Sequence, residues 1–366
     1  MTFYFLPYEK LSSLLDNIKE QYRLIGPTVN QAAILYKDIS NVDELPWGMV
    51  DEQKPGSYQL QKTNNKQVFG WVNGPQAIKP ELFKAKESLW RVARDETGRL
   101  SFKPVEPLAE KLALFAVRPC DLHAMSIQDK VFIESKYQDV HYKKRRENLF
   151  IVVANCTRSS NNCFCVSAGG SPRSQFNFDI AMTEIKEGFL MEPATQQGEL
   201  MLETLALNYA SEMQRDEMLD LIARAEAQQK KQLPKTDLRK ALFNNLSHPR
   251  WQEVAERCLS CGNCTQVCPT CFCHREVENP ALSGEESEHI REWDSCFTLK
   301  HSHIHGKDFR DTTMLRYRQW LTHKFGSWHD QFGTSGCVGC GRCITWCPTG
   351  IDVTEELNEI CGEDKA

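Results

Sequence analysis

The sequence predicts an α+β protein: a mixed α/β part over residues 1–195, a helical connector over residues 196–250, and an α-helical domain organised by cysteines over residues 251–366. Three observations predict it. Short apolar runs at residues 112–117 and 149–154 are closed by polar or proline-containing segments, as buried strands are. Residues 199–213 and 217–227 concentrate Leu, Ala, Glu and Met, all strong helix formers. From residue 258 onward, eight of the cysteines fall into two copies of one spacing, the internal repeat of the chain. A chain of 366 residues is long enough for two cores, because single cores seldom grow past roughly 250 to 300 residues.

Taken in order, residues 11–24 show helical periodicity, and the two apolar runs each lead directly into a cysteine. Pro234 ends the helix-rich stretch. Ser247 is placed to cap a helix over residues 251–257, with Pro249 in its first turn, where a missing N–H costs little.

Composition is that of an ordinary globular protein, 41% hydrophobic and 25% charged. A net charge of −5 argues against a dedicated nucleic-acid binder, which would concentrate Lys and Arg against phosphates. The one basic block, Lys143, Lys144, Arg145 and Arg146, reads as a solvated face or as a dock for an acidic partner. No apolar stretch approaches the roughly 20 residues that cross a bilayer. The opening residues, MTFYFLPYEK, lack the plan of a signal peptide, so a reducing cytoplasm is expected. Sixteen cysteines in so long a chain then point to metal and not to disulfides.

Cys258, Cys261, Cys264 and Cys268, followed by Pro269, spell C-x2-C-x2-C-x3-C-P, and Cys337, Cys340, Cys343 and Cys347, followed by Pro348, repeat it. This is the bacterial ferredoxin run, in which the fourth thiolate reaches the other cluster. One 4Fe-4S cluster is therefore expected on Cys258, Cys261, Cys264 and Cys347, and a second on Cys337, Cys340, Cys343 and Cys268. Gly262, Gly339 and Gly341 suit loops that need φ > 0 close to a cluster. Structural zinc usually takes two separated pairs, whereas each motif here is a compact quartet. The gap from Cys268 to Cys337 is too long for a minimal two-cluster ferredoxin, and the helical periodicity of residues 314–325 suggests an α-helical one. Arg316, Arg318, His323 and Lys324 either offset the anionic clusters or form a solvated face.

The remaining cysteines form looser sets. Cys120, Cys156, Cys163 and Cys165 leave the two strand-like runs; if those strands are neighbours, the thiolates converge as a candidate third cluster, the alternatives being buried free thiols or zinc. Asp121 is expected to be a local salt-bridge or cap residue. Cys271, Cys273 and Cys296 either line the cluster pocket or belong to a further site. Cys361 carries no expected role. His301, His303 and His305 alternate, which on a strand would present three imidazoles on one face, although a polar loop without ligands is the stronger reading. Arg118 and His123 flank Cys120 and would favour a thiolate, so an independent flavin- or Cys-dependent reductase is a third possibility for the chain.

The succession VRPCDLHAM, NCTRSSNNCFC, CLSCGNCTQVCPTCFC, REWDSCF and GCVGCGRCITWCP resembles the sulfhydrogenase beta-subunit family, which also covers the A subunit of anaerobic sulfite reductase. The resemblance implies a cytoplasmic complex in which this subunit passes electrons without doing bond chemistry itself. It implies as partners a flavin subunit that handles NAD(P)H, a small iron–sulfur hydrogenase subunit and a nickel-iron large subunit. In the sulfite branch the terminal site would be siroheme. The HSHIH segment stands where the family is expected to be glycine-rich.

Overall fold

The computed structural model describes residues 2–107 and 110–362. In chain order its strands are β1 (Tyr4–Pro7), β2 (Arg23–Asn30), β3 (Ala33–Asp38), β4 (Met49–Lys54), β5 (Ser57–Lys62), β6 (Lys86–Arg94), β7 (Leu100–Pro104), β8 (Leu112–Val117), β9 (Leu149–Ala154), β10 (Ile180–Ile185), β11 (Gly188–Pro193), β12 (Asn208–Tyr209), β13 (His274–Pro280) and β14 (Glu286–Trp293), with a further short pair at His303–Ile304 and Lys307–Asp308. The main sheet runs β12-β1-β11-β10-β9-β8-β2-β3. Its centre, β10-β9-β8-β2, is parallel, and antiparallel pairs flank it.

Both faces of the sheet are covered, which is why β8 and β9 read as unbroken apolar runs. Leu11, Leu14, Leu15 and Ile18 of the helix Leu11–Lys19 pack one face; Leu122, Met125, Phe132 and Tyr142 pack the other. A third core gathers Trp251, Tyr317, Trp320, Leu321, Leu357 and Ile360 against Cys258, Cys264, Cys337, Cys343 and Cys347. The ferredoxin cysteines thus sit at the edge of a helical core.

Several expectations change. Residues 199–213 are not one helix: Gln196–Glu203 ends, β12 pairs with β1, and a new helix starts at Glu212 behind a Ser211 capping box. Residues 11–24 hold a helix only to Lys19, because Arg23 already begins β2. Ser247 caps nothing; the helix Arg250–Arg257 follows Pro249, and His248 Nδ1 accepts from the Arg250 N–H at 3.1 Å. The segment between the two motifs holds more than helix, since β13 and β14 pair and join β6 and β7 in a sheet ordered β13-β14-β6-β7. Glu87, 7% exposed in its side chain, ties that sheet down through Arg145, Arg291 (2.7 Å) and His141 (3.0 Å). Arg146 bonds Asp129 at 3.1 Å, so half of the basic block is committed inside the fold.

Candidate iron–sulfur site

The first motif turns through Gly262 at φ 73° and the second through Gly341 at φ 74°, each opening a one-turn helix, Asn263–Gln266 and Arg342–Thr345. Those left-handed glycines let the chain reverse around its thiols. The two motifs interlock: the Asn263 side-chain amide donates to the Trp346 carbonyl, and Cys258, Cys261, Cys264 and Cys347 line a single pocket, whose edge Cys343 reaches. Cys268 lies within electrostatic reach of Cys337, Cys340 and Cys343. Cys258, Cys261, Cys264 and Cys347 thus come together at one pocket, and Cys268 lies toward the cysteines of the second motif. Cys261 is the exposed member.

Backbone N–H groups aim at the sulfurs. Ser260 donates to Cys258 Sγ, Gly339 to Cys337 Sγ and Ile351 to Cys347 Sγ, each at 3.4 Å. Lys324 is buried, 4% exposed, on a π-helical turn, His323–Ser327, that follows the helix Thr313–Thr322. Its ammonium donates to Cys268 Sγ (3.4 Å), Thr270 Oγ1 (3.1 Å) and the Gly336 carbonyl (3.0 Å). Arg316 bonds the Arg310 and Asp311 carbonyls (each 3.0 Å) and Ser260 Oγ (3.3 Å), and its charge favours the Cys258 thiolate. Arg318 instead bonds the Leu246 carbonyl (2.6 Å) and His323 bonds Gln331 (3.1 Å), so of the four basic residues Lys324 is the one that hydrogen-bonds a thiol.

The second set stands at the carboxyl ends of β8 and β9, which are parallel neighbours. A bulge at Ala116, φ 56°, re-aims the chain into Arg118 and Cys120. Cys120, Cys156, Cys163 and Cys165 converge there, and Cys340 of the second motif borders both Cys120 and Cys165. The contact is backbone against backbone: the Phe164 N–H donates to the Gly339 carbonyl at 2.9 Å, and a Cβ on Gly339 would sit 2.5 Å from the Phe164 carbonyl. Asp121 is not a local partner; it pairs with Arg342 at 2.9 Å, both 1% exposed, across more than two hundred residues. Arg118 stacks 4.0 Å over Trp71 and donates to backbone carbonyls.

Burial pushes the Cys163 and Cys165 thiols up to about 12 and the Cys120 thiol well above its usual range. Burial also lowers His123, which leaves that imidazole neutral. Thiols so placed ionise when iron takes the proton's place.

Cys271, Cys273 and Cys296 also cluster, Cys271 against Cys268 and Cys273 against Cys296. The three alternating histidines separate: His301 bonds Asp294 (2.8 Å), His303 bonds Asp308 (2.7 Å), and His305 lies at φ 50° in an exposed turn. Cys361 packs in the helical core.

The donor set fits iron–sulfur clusters on a further ground. Tyr317 Oη and Trp320 Nε1 are buried without a hydrogen-bond partner, and both side chains line the pocket of the first quartet. An unmade buried donor costs about 1–3 kcal/mol, and cluster sulfurs are acceptors. Sequence reasoning missed Lys79, 5% exposed, whose ammonium approaches the Cys268 carbonyl (3.2 Å), and Asn73, which donates to the Cys340 carbonyl (2.9 Å). Neither stands near a cysteine in the chain, and nothing local marks them.

A family model described as a 4Fe-4S dicluster domain matches residues 257–351. Sulfhydrogenase 2 subunit beta of Pyrococcus furiosus is 28% identical over 357 residues, 96% of this chain and 96% of that protein. No solved structure matches the chain. The protein carries 4Fe-4S clusters, and among its described residues no helix is long and apolar enough to cross a membrane.

Proposed function

Starting from a chain that resembles the sulfhydrogenase beta subunits over nearly its whole length, we propose that it relays electrons between a flavin subunit that exchanges hydride with NAD(P)H and the nickel-iron catalytic subunits of a hydrogenase. The observation that carries the reading is the continuity of the cysteine sets. Cys264 and Cys347 belong to the first quartet, Cys343 stands between the two, and Cys340 of the second quartet borders Cys120 and Cys165.

In this reading Cys258, Cys261, Cys264 and Cys347 hold one cluster, Cys268, Cys337, Cys340 and Cys343 a second, and Cys120, Cys156, Cys163 and Cys165 a third. Such clusters supply one-electron chemistry whose potential follows hydrogen bonds, charge and solvent exposure. The chain's residues set those conditions. Lys324 and the N–H groups of Ser260, Gly339 and Ile351 stabilise negative charge on sulfur. Trp320 and Phe297 keep water from the first quartet, and Phe164 lies fully buried beside the Cys163 and Cys165 thiols. Cys261, the exposed thiol, marks the side from which a partner is reached.

Co-purification of the native complex tests the proposal. Nickel in the complex together with hydrogen evolution or uptake supports it. A complex without nickel and with a siroheme absorption spectrum assigns the chain to sulfite reduction instead.

A further inference from the structure

Two buried ammonium groups approach the second quartet, each from a different part of the chain. Lys324, on the π-helical turn, hydrogen-bonds the Cys268 sulfur itself at 3.4 Å. Lys79 comes from the α/β part, on the short helix Lys79–Leu82, and is 5% exposed. Its ammonium reaches the Cys268 carbonyl at 3.2 Å and the Thr265 and Gln266 carbonyls at 3.4 and 3.5 Å, and it sits 4.0 Å above the Trp293 ring. The Cys268 thiol lies within its electrostatic reach. Among the described residues neither ammonium pairs with a carboxylate; the hydrogen bonds of both go to carbonyls, a hydroxyl and the Cys268 sulfur. Lys79 caps carbonyls at the end of the one-turn helix Asn263–Gln266, a task that a neutral donor could also perform. Two enclosed cations without carboxylates call for another anion beside them.

The other cysteine sets are furnished differently. Cys258 and Cys347 of the first quartet receive backbone N–H groups, and Arg316 bonds carbonyls and Ser260 Oγ, not a sulfur. At the Cys120 set Asp121 offsets Arg342 and Asp51 offsets Arg158, which leaves the single charge of Arg118 within reach of Cys156. Water stabilises charge at the first quartet through the exposed Cys261, but buried charges are screened far less than exposed ones, so the two ammonium groups weigh more.

We infer that Lys79 and Lys324 together make the cluster of Cys268, Cys337, Cys340 and Cys343 the most readily reduced in the chain, a middle station where one electron rests while another moves on. The inference rests on the relay reading and its three cysteine sets. A cubane held by four thiolates gains negative charge when it takes up one electron, and two nearby ammonium groups stabilise that charge. Both lysines stay protonated throughout, so the step moves an electron and no proton. A hydride brings two electrons at once whereas each cluster carries one, and a resting place midway lets the two leave in turn.

The full-length chain, purified without oxygen, is titrated under EPR as wild type, Lys79→Met and Lys79→Arg, with iron and sulfide measured in each. Cys268→Ser marks which signal belongs to the second cluster. In the wild type that signal is expected to appear first as the potential is lowered. Lys79→Met is expected to keep its iron and to shift that midpoint downward with the other midpoints in place, and Lys79→Arg to undo most of the shift. Another cluster reducing first overturns the inference, and so does a midpoint that Lys79→Met leaves unmoved or that Lys79→Arg leaves lowered. Equal shifts of all midpoints overturn it too, because they mark a purely structural role. Should Lys79→Met lose its clusters, the wild-type order of reduction decides alone. A wild-type chain devoid of iron would instead remove the relay reading itself.

Discussion

Lys324 puts a full positive charge where it is costly to keep one, enclosed and 3.4 Å from the Cys268 sulfur. At an effective dielectric near 20 and a separation of roughly 6 Å, a unit charge is worth about 3 kcal/mol, or on the order of 100 mV for one electron. Lys324→Met is therefore expected to lower the midpoint potential of the cluster held by Cys268 by tens of millivolts up to about that value, as an EPR-monitored titration would register. An unmoved potential would show that the charge acts only on folding. Arg342 and Asp121 make a different case, a fully enclosed pair between the second and third cysteine sets. Removing one partner strands the other, so Asp121→Ala should destabilise the chain by about 3–5 kcal/mol in denaturant titration. The turns at Gly262 and Gly341 are legible from spacing alone, because a chain that reverses around closely spaced cysteines needs left-handed backbone. Lys79 and Asn73 were not, since their roles arise from packing against residues far along the chain.

Elements were legible where pattern is local. The apolar runs became β8 and β9, and residues 314–325 became a helix that widens into a π-turn. Such turns recur at functional sites, and this one delivers Lys324. The stretch at 199–213 failed because propensity there is helical throughout, while two residues, Asn208 and Tyr209, are claimed by the open edge of β1. The sheet of β13-β14-β6-β7 was illegible for a similar reason: its strands come from segments almost two hundred residues apart, and no local signal announces that pairing. The join between the loop of Cys163 and Cys165 and the second motif depends on Gly339, at φ 66° with no room for a side chain. Gly339→Ala is expected to strain the backbone by roughly 1–3 kcal/mol and to push the loop away. Iron analysis should then show loss from the Cys120, Cys156, Cys163 and Cys165 set before loss from the quartet of Cys258.

For the molecule as a whole, a parallel-centred sheet delivers one set of thiols from its carboxyl ends, and a helical core delivers the two quartets against it. The chain resembles a sulfhydrogenase beta subunit across both regions, so the likeness is not confined to the ferredoxin motifs. Its central claim is that the quartets are interleaved, each cluster taking its last ligand from the opposite motif. Iron and sulfide analysis with EPR on Cys347→Ser and Cys268→Ser tests this most directly. The account predicts that Cys347→Ser perturbs the cluster of Cys258, Cys261 and Cys264, and that Cys268→Ser perturbs that of Cys337, Cys340 and Cys343. Perturbation confined to the motif in which each substitution lies, or zinc without sulfide in the wild type, would contradict it.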